Sequence, residues 1–167
     1  MLTYPLEQNQ AIYLEFRGLK YMKLSTKGRY GVKAMFDLAL YGRDTPLPLK
    51  TIAGRQEISE PYLEQLIAAL RKAGLVKSVR GARGGYLLAR KPNQITVGSI
   101  IRTLEGSMAP TDCVSEDRPI DCDKADWCVT RGIWEKIRMS IDNVIDSITL
   151  QDMIDDYNKL CEESEIS

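Results

Sequence analysis

Histidine is absent from this chain of 167 residues, so no imidazole is available as a catalytic base or metal ligand. The four cysteines include no CxxC pair, which removes the dithiol of a thiol oxidoreductase and the paired knuckles of a zinc ribbon. Long apolar runs are missing too. With "LIAAL" typical of the longest, no segment reads as a membrane span, and no basic-then-apolar leader opens the chain. A cytoplasmic protein with no membrane partner is expected. Thiols stay reduced in that compartment, so metal or redox chemistry is a stronger reading of the cysteines than a disulfide framework.

The formal net charge is zero, but the signs are segregated. Residues 22–92 carry 14 Lys and Arg against 5 Asp and Glu, a net +9, whereas residues 93–167 carry 7 against 16, a net −9. Lysine and arginine release counterions from phosphates, so the first block is the nucleic-acid candidate and the second would be repelled. Two solvated faces of opposite sign would give the same count, but the basic block also carries a motif.

From Ser25, a plausible N-cap, Tyr30, Ala34, Met35, Leu38 and Tyr41 recur at three- and four-residue spacings up to Gly42. This pattern predicts a helix. After the loop "RDTPLP", "LKTIAGRQEI" predicts a second short helix, and "ISEPYLEQLIAALRKAGLV" a third with Leu63, Leu66, Ile67 and Leu70 inward. Ser59 suits its N-cap, Glu60 its dipole, Pro61 its first turn and Gly74 its end. Two helices joined this tightly make a helix-turn-helix candidate. "VKSV" and "GYLLA", flanking the glycine-rich "RGARGG", then predict a hairpin wing with Arg80, Arg83 and Arg90 on its rim. That turn is no P-loop, because it leads into a strand and lacks Lys-Ser/Thr.

"ITVGSIIRTLEG" predicts a further short helix. In "GIWEKIRMSIDNVIDSITL", Trp134, Ile137, Ile141, Val144 and Ile148 are spaced 3, 4, 3 and 4, a coiled-coil-like seam read here as a dimerisation helix. A short closing helix, "TLQDMIDDYNKL", and an acidic tail follow. The fold class is thus mainly α with a small β-hairpin. Its expected organisation is an N-terminal extension without order (1–21), a winged helix-turn-helix domain (22–104), a cysteine-containing loop (105–130), dimerisation and closing helices (131–160) and a tail (161–167).

Cys113, Cys122 and Cys128 stand at C-x8-C-x5-C in "DCVSEDRPIDCDKADWC". Offsets of nine and six share no helical face, so joint ligation requires irregular backbone, which Ser115, Asp117 and Pro119 favour. Three thiolates suit zinc or an iron–sulfur cluster, and the missing CxxC pairs tilt the choice to a cluster. The many neighbouring acids argue against spontaneously reactive thiols, because negative charge raises a thiol pKa. Cys161 reads as an isolated surface thiol.

Through "MKLSTKGRYGVKAMFDLAL", "ISEPYLEQL", "LRKAGLVKSVRGARGGYLLAR" and "GIWEKI", the chain from Met22 to about Tyr157 resembles the bacterial IscR-like winged-helix regulators, the Rrf2 family. That family includes sensors of iron–sulfur clusters and nitric oxide and a repressor of cysteine metabolism. The pattern is nearest to the branch regulating iron–sulfur cluster assembly. The resemblance implies a homodimer on a double-stranded DNA operator, with cluster thiolates at Cys113, Cys122 and Cys128, recognition residues Glu64 and Gln65, and a basic wing residue at Arg80. The residues expected to face DNA are Ser59, Glu60, Pro61, Tyr62, Glu64, Gln65 and Arg71 on the helix and Lys77, Arg80 and Arg83 on the wing.

The chain departs from the family pattern in two places: the first intercysteine gap is longer than in the cluster-assembly branch, and Arg131 stands where a ligating histidine is expected. The aspartate that the nitric-oxide-sensing branch offers instead is Arg29 here; arginine stays protonated and does not bind metal. The fourth ligand is open among a loop acid, Cys161, a partner residue and a small thiol or water, as is a two-iron or four-iron cluster. The expected function is a transcriptional regulator, a repressor or dual regulator, that reports cluster supply and controls cluster-assembly genes. The alternatives are a cluster-independent regulator of cysteine metabolism working with a cysteine-synthesis enzyme, a thiol redox enzyme, and a dimerisation adaptor that does not bind DNA.

Overall fold

Helix α1 (Thr26–Tyr41) begins where the extended backbone of Ser25 lets its hydroxyl accept from Lys27 N–H at 3.1 Å. A second cap comes from far along the chain. Glu105 accepts from Gly28 N–H at 2.7 Å and from the Ser25 hydroxyl, tying the end of helix α4 (Val97–Glu105) to the start of α1. The two helices approach so closely that a Cβ on Gly31 would stand 2.0 Å from Leu104 Cδ1. The computed structural model describes residues 24–81, 83–117 and 122–165; the extension 1–21, Arg118 and Pro119, and the last two tail residues lie outside it.

Helix α2 (Leu49–Gln56) and helix α3 (Glu60–Lys72) are joined through Glu57, the one described non-glycine residue with positive φ, at 53°. Ile58, buried in the turn, anchors the junction through its N–H to Ala53 C=O at 3.0 Å. Leu63, Leu66, Ile67 and Leu70 of α3 are buried as their spacing predicts. Ser59 occupies the N-cap but makes no side-chain capping bond, so its hydroxyl does not serve the helix as expected. Beyond Gly74, in the left-handed region at φ 72°, strands β1 (Val76–Val79) and β2 (Gly85–Leu88) pair antiparallel with Val76 opposite Leu88. Leu47 extends this wing by exchanging two bonds with Tyr86 at 2.9 and 3.0 Å.

One core joins α1 to α4 with Met35, Leu38, Ile52, Leu63, Ile67, Leu70, Ile95 and Ile100 fully buried. Helix α6 (Leu150–Glu165) returns to it. Leu150 and Ile154 are buried in that core, each worth about 1.5–3 kcal/mol, so the closing helix belongs to the winged domain's packing. α6 also continues through Cys161 to Glu165, into residues read from sequence as tail. Asp37 is the one buried charged residue described, 1% exposed on the inner face of α1. It holds α2 by accepting from Arg55 Nη2 at 2.6 Å, Arg55 Nε at 2.8 Å and Gln56 Nε2 at 3.2 Å.

Helix α5 (Val129–Ser147) differs from the rest, because none of its residues is buried. Its seam does not present one uniform face. Trp134 and Ile141 are half-covered by their own chain, whereas Ile133, Ile137 and Val144 are exposed, Val144 at 59%. Ile148 lies past the helix end in extended backbone, where its C=O accepts from Val97 N–H at 2.8 Å.

Candidate nucleic-acid interface and cysteine loop

With one side of α3 fixed in the core, its opposite side is set. Glu60, Pro61, Glu64, Gln65 and Arg71 are all exposed, as is Ser59 before them. Tyr62 is the exception among the residues expected to face DNA. It is half-buried, its ring edge-on to Tyr30 with centroids 6.1 Å apart. Lys77, Arg80 and Arg83 are exposed on the wing, and Arg71 reaches Ser78 Oγ on β1 at 3.5 Å, at the limit of a hydrogen bond. The end of α3 and the hairpin therefore offer neighbouring cations, while α3 itself exposes the neutral amide of Gln65 and the carboxylate of Glu64. Amides and carboxylates read base edges, and cations hold phosphates.

The cysteine segment contains two short 3-10 turns, Asp112–Val114 and Ala125–Trp127, in place of uniformly irregular chain. Buried Val114 pins the first of them, which packs on α5. Cys113 is half-buried there, with Sγ 3.3 Å from Thr111 Oγ1, and Cys122 is exposed. Cys128 is the N-cap of α5, its Sγ 3.2 Å from Thr130 Oγ1. The Thr130 hydroxyl, followed by the Arg131 backbone N–H, holds the Cys128 thiol below its ordinary pKa. Desolvation, the one cause that raises it, is outweighed by these donors at a helix N-terminus, so the rise expected from the acidic surroundings does not hold at this position.

The donor set suits a soft metal centre, three thiols on one segment. The geometry does not gather them: among the described residues no three His, Cys, Asp or Glu side chains form a group that could hold a metal ion. Cys161 stands apart on α6 and bonds Tyr157, whose phenol is pushed up to about 12, first by that bond and then by Tyr41.

Sequence reasoning missed the charges that fasten this segment. Arg138 of α5 donates to Glu116 in the cysteine segment and to Asp142 at 3.3 Å. Asp142 accepts also from Arg102 of α4 at 3.0 Å, and Arg102 reaches on to Asp146. The (i,i+4) spacing of Arg138 and Asp142 was the one signal available; the rest spans 22 to 44 residues.

A family model named Rrf2 and described as an iron-dependent transcriptional regulator matches residues 24–156. The HTH-type transcriptional regulator CymR of Bacillus subtilis strain 168 is 46% identical over 132 residues, covering 79% of this chain and 89% of CymR. Its solved structure, described as that of the global cysteine regulator, has a TM-score of 0.65 at 47% identity, covering 80% of this chain and 96% of that one. The HTH-type transcriptional regulator IscR of Pectobacterium atrosepticum is 42% identical over 139 residues, 83% of each chain. The solved structure of T. potens IscR superposes with a TM-score of 0.66 at 57% identity, covering 84% of this chain and 89% of that one.

Proposed function

The chain belongs to the Rrf2 family of DNA-binding transcriptional regulators and is not an enzyme, and from that premise we propose that its cysteine segment is an iron–sulfur sensor which sets how a homodimer reads its operator. The observation that carries this reading is the charge relay from Glu116 through Arg138 and Asp142 to Arg102, because it joins the cysteine segment to the winged domain.

Cys113, Cys122 and Cys128 are the proposed ligands. A cluster held there would supply the positive charge of iron to an acidic loop, together with sensitivity to oxidants and iron supply. The segment must close for the three thiols to meet. Cys128 sits at the start of α5 beside the Thr130 hydroxyl, and buried Val114 fixes the other end of the segment, which packs on α5. Closure would pull on Glu116 and hence on Arg138 and α5.

α5 supplies the proposed dimer contact through Trp134, Ile137, Ile141 and Val144, with Ile148 just past its end. Two copies then place their α3 helices in successive major grooves, roughly 34 Å apart. On each, Gln65 can bond adenine bidentately, Glu64 accepts only from a donor such as the cytosine amino group, and Arg80 meets phosphate or a minor-groove edge. The proposed targets are cluster-assembly genes.

A second reading is favoured by the likeness to CymR: a cluster-independent regulator of cysteine metabolism acting with a cysteine-synthesis enzyme. Fluorescence anisotropy on promoter fragments from both gene classes separates the two. The sensor reading expects tight binding to cluster-assembly promoters, lost or redirected in the Cys113→Ala/Cys122→Ala/Cys128→Ala variant. Occupancy indifferent to that variant and raised by a cysteine-synthesis enzyme would favour the second.

A further inference from the structure

An open cavity of about 670 Å³ lies between the C-terminal end of α1, strand β2, the turn at Pro92–Gln94 and the start of α6. Its solvent-facing apolar wall comes from Leu87 and Leu88 of β2 and Pro92 of the turn, all half-buried, with the fully buried Leu38 of α1 and Ile154 of α6 behind it. Around it stand Arg43, Lys77, Arg90 and Lys91, all exposed and none in an ion pair among the described residues. No aspartate or glutamate lines it. Gln151, on the α6 wall, donates its amide to Asp155 at 2.8 Å and adds no charge.

The strand register adds a backbone donor. Tyr86 directs both its N–H and its C=O to Leu47, on the edge of β2 facing away from β1. The pleat repeats every two residues, so Leu88 presents its N–H on that same edge, beyond the last bond to Leu47.

We propose that this cavity binds a small amphipathic organic anion, an acidic head on an apolar body. Four uncompensated like charges around one hollow repel one another, and an anionic head relieves that repulsion. The apolar lining takes the body. The volume falls within the ~300–1,000 Å³ of small-molecule sites, which are mostly apolar with a few convergent polar groups. A DNA phosphate would use the cations but leave the half-exposed Leu87, Leu88 and Pro92 unused, since backbone contacts are made by polar groups. The ligand would touch the wing, the turn at Pro92–Gln94 and Gln151 of α6 together, and so bias the position of the wing. Because the readout is small-molecule binding to protein free of DNA, it stands or falls apart from operator recognition and from what the cysteines hold.

The test is fluorescence titration of the full chain with 8-anilinonaphthalene-1-sulfonate, an aromatic sulfonate of the proposed class. One saturable site per chain is expected, displaced by decanoate but not by inorganic phosphate at equal ionic strength. Affinity should fall at least tenfold in Arg43→Gln/Arg90→Gln, whose side chains are exposed and whose fold is checked by circular dichroism. Lys159→Gln, which removes one exposed charge on α6 away from the cavity, should leave this site unchanged. Absence of saturable binding, full retention in Arg43→Gln/Arg90→Gln, loss in Lys159→Gln, or displacement by phosphate as effective as by decanoate would each overturn the proposal.

Discussion

Glu116 and Asp142 accept from the same guanidinium, that of Arg138, although one lies in the cysteine segment and the other on α5. Asp142 is shared again with Arg102 of α4, whose helix packs on α1 and α3. Any closing of the cysteine segment is therefore felt by two helices through side chains already in contact.

Replacing Arg138 by Met should loosen the segment without unfolding the protein. The pair to Glu116 is half open to water, so its loss is worth about 0.5–1 kcal/mol, a two- to fivefold rise in amide exchange over residues 106–117. The melting temperature should move little, because the buried Arg138 Nε has no partner and its removal offsets part of the loss. Unchanged exchange in that segment would refute the tether.

Asp37→Ala should cost about 2–3 kcal/mol in urea unfolding, below the range for breaking a fully buried pair, because Arg55 keeps a third of its side chain in water. The loss would fall on the placement of α2 against α1, and with it the entry to α3. A cost under about 0.5 kcal/mol, the scale of a surface substitution, would mean that Asp37 does not hold the helix-turn-helix together.

The start of α6 carries a pH dependence. Thr149 N–H donates to Asp152 Oδ2 at 2.8 Å, the Thr149 hydroxyl donates to it at 2.6 Å, and Asp152 N–H donates back at 3.2 Å. These bonds, the Thr149 hydroxyl first, hold the Asp152 carboxyl below its ordinary value near ~3.9. A depressed carboxylate pKa stabilises the folded state above the unfolded value, and the contribution is lost as pH falls through the folded one. NMR titration should find Asp152 below the ordinary range, and Thr149→Ala should return it toward that value; equal values in the two proteins would contradict the cap.

The exposed strip of α5 should govern association. Ile137→Glu/Val144→Glu places charge on the outward face only and should give monomers in analytical ultracentrifugation, where the proposed account expects the native chain to sediment as a dimer. Trp134 and Ile141 are half-covered within the chain, so substitutions there should cost stability as well. An unchanged dimer in the double variant would place the interface elsewhere.

These relationships divide by sequence separation. The inward set of α3 and the hairpin were legible because their patterns repeat over few residues: Leu63, Leu66, Ile67 and Leu70 could face only one way, and Gly74 and the strands followed. Asp37 was not legible, since a single acid in "MFDLAL" gives no hint of Arg55, 18 residues on. Glu105 reaching Gly28 across 77 residues was equally hidden. The spacing of 3 and 4 in α5 predicted a helix but not how its residues divide, because Arg138 and Asp142 turn one side toward α4 and leave Ile137 and Val144 outside. Spacing likewise brought the three cysteines together as candidates without fixing their positions in space.

The most direct test of the sensor account is anaerobic purification with visible absorption and iron and sulfide analysis, on the native chain and on Cys113→Ala/Cys122→Ala/Cys128→Ala. The account predicts a coloured native protein with stoichiometric iron and sulfide, both lost in the variant along with its response to cluster supply in DNA binding. A colourless native protein that cannot be reconstituted, or colour that survives loss of all three thiols, would contradict it.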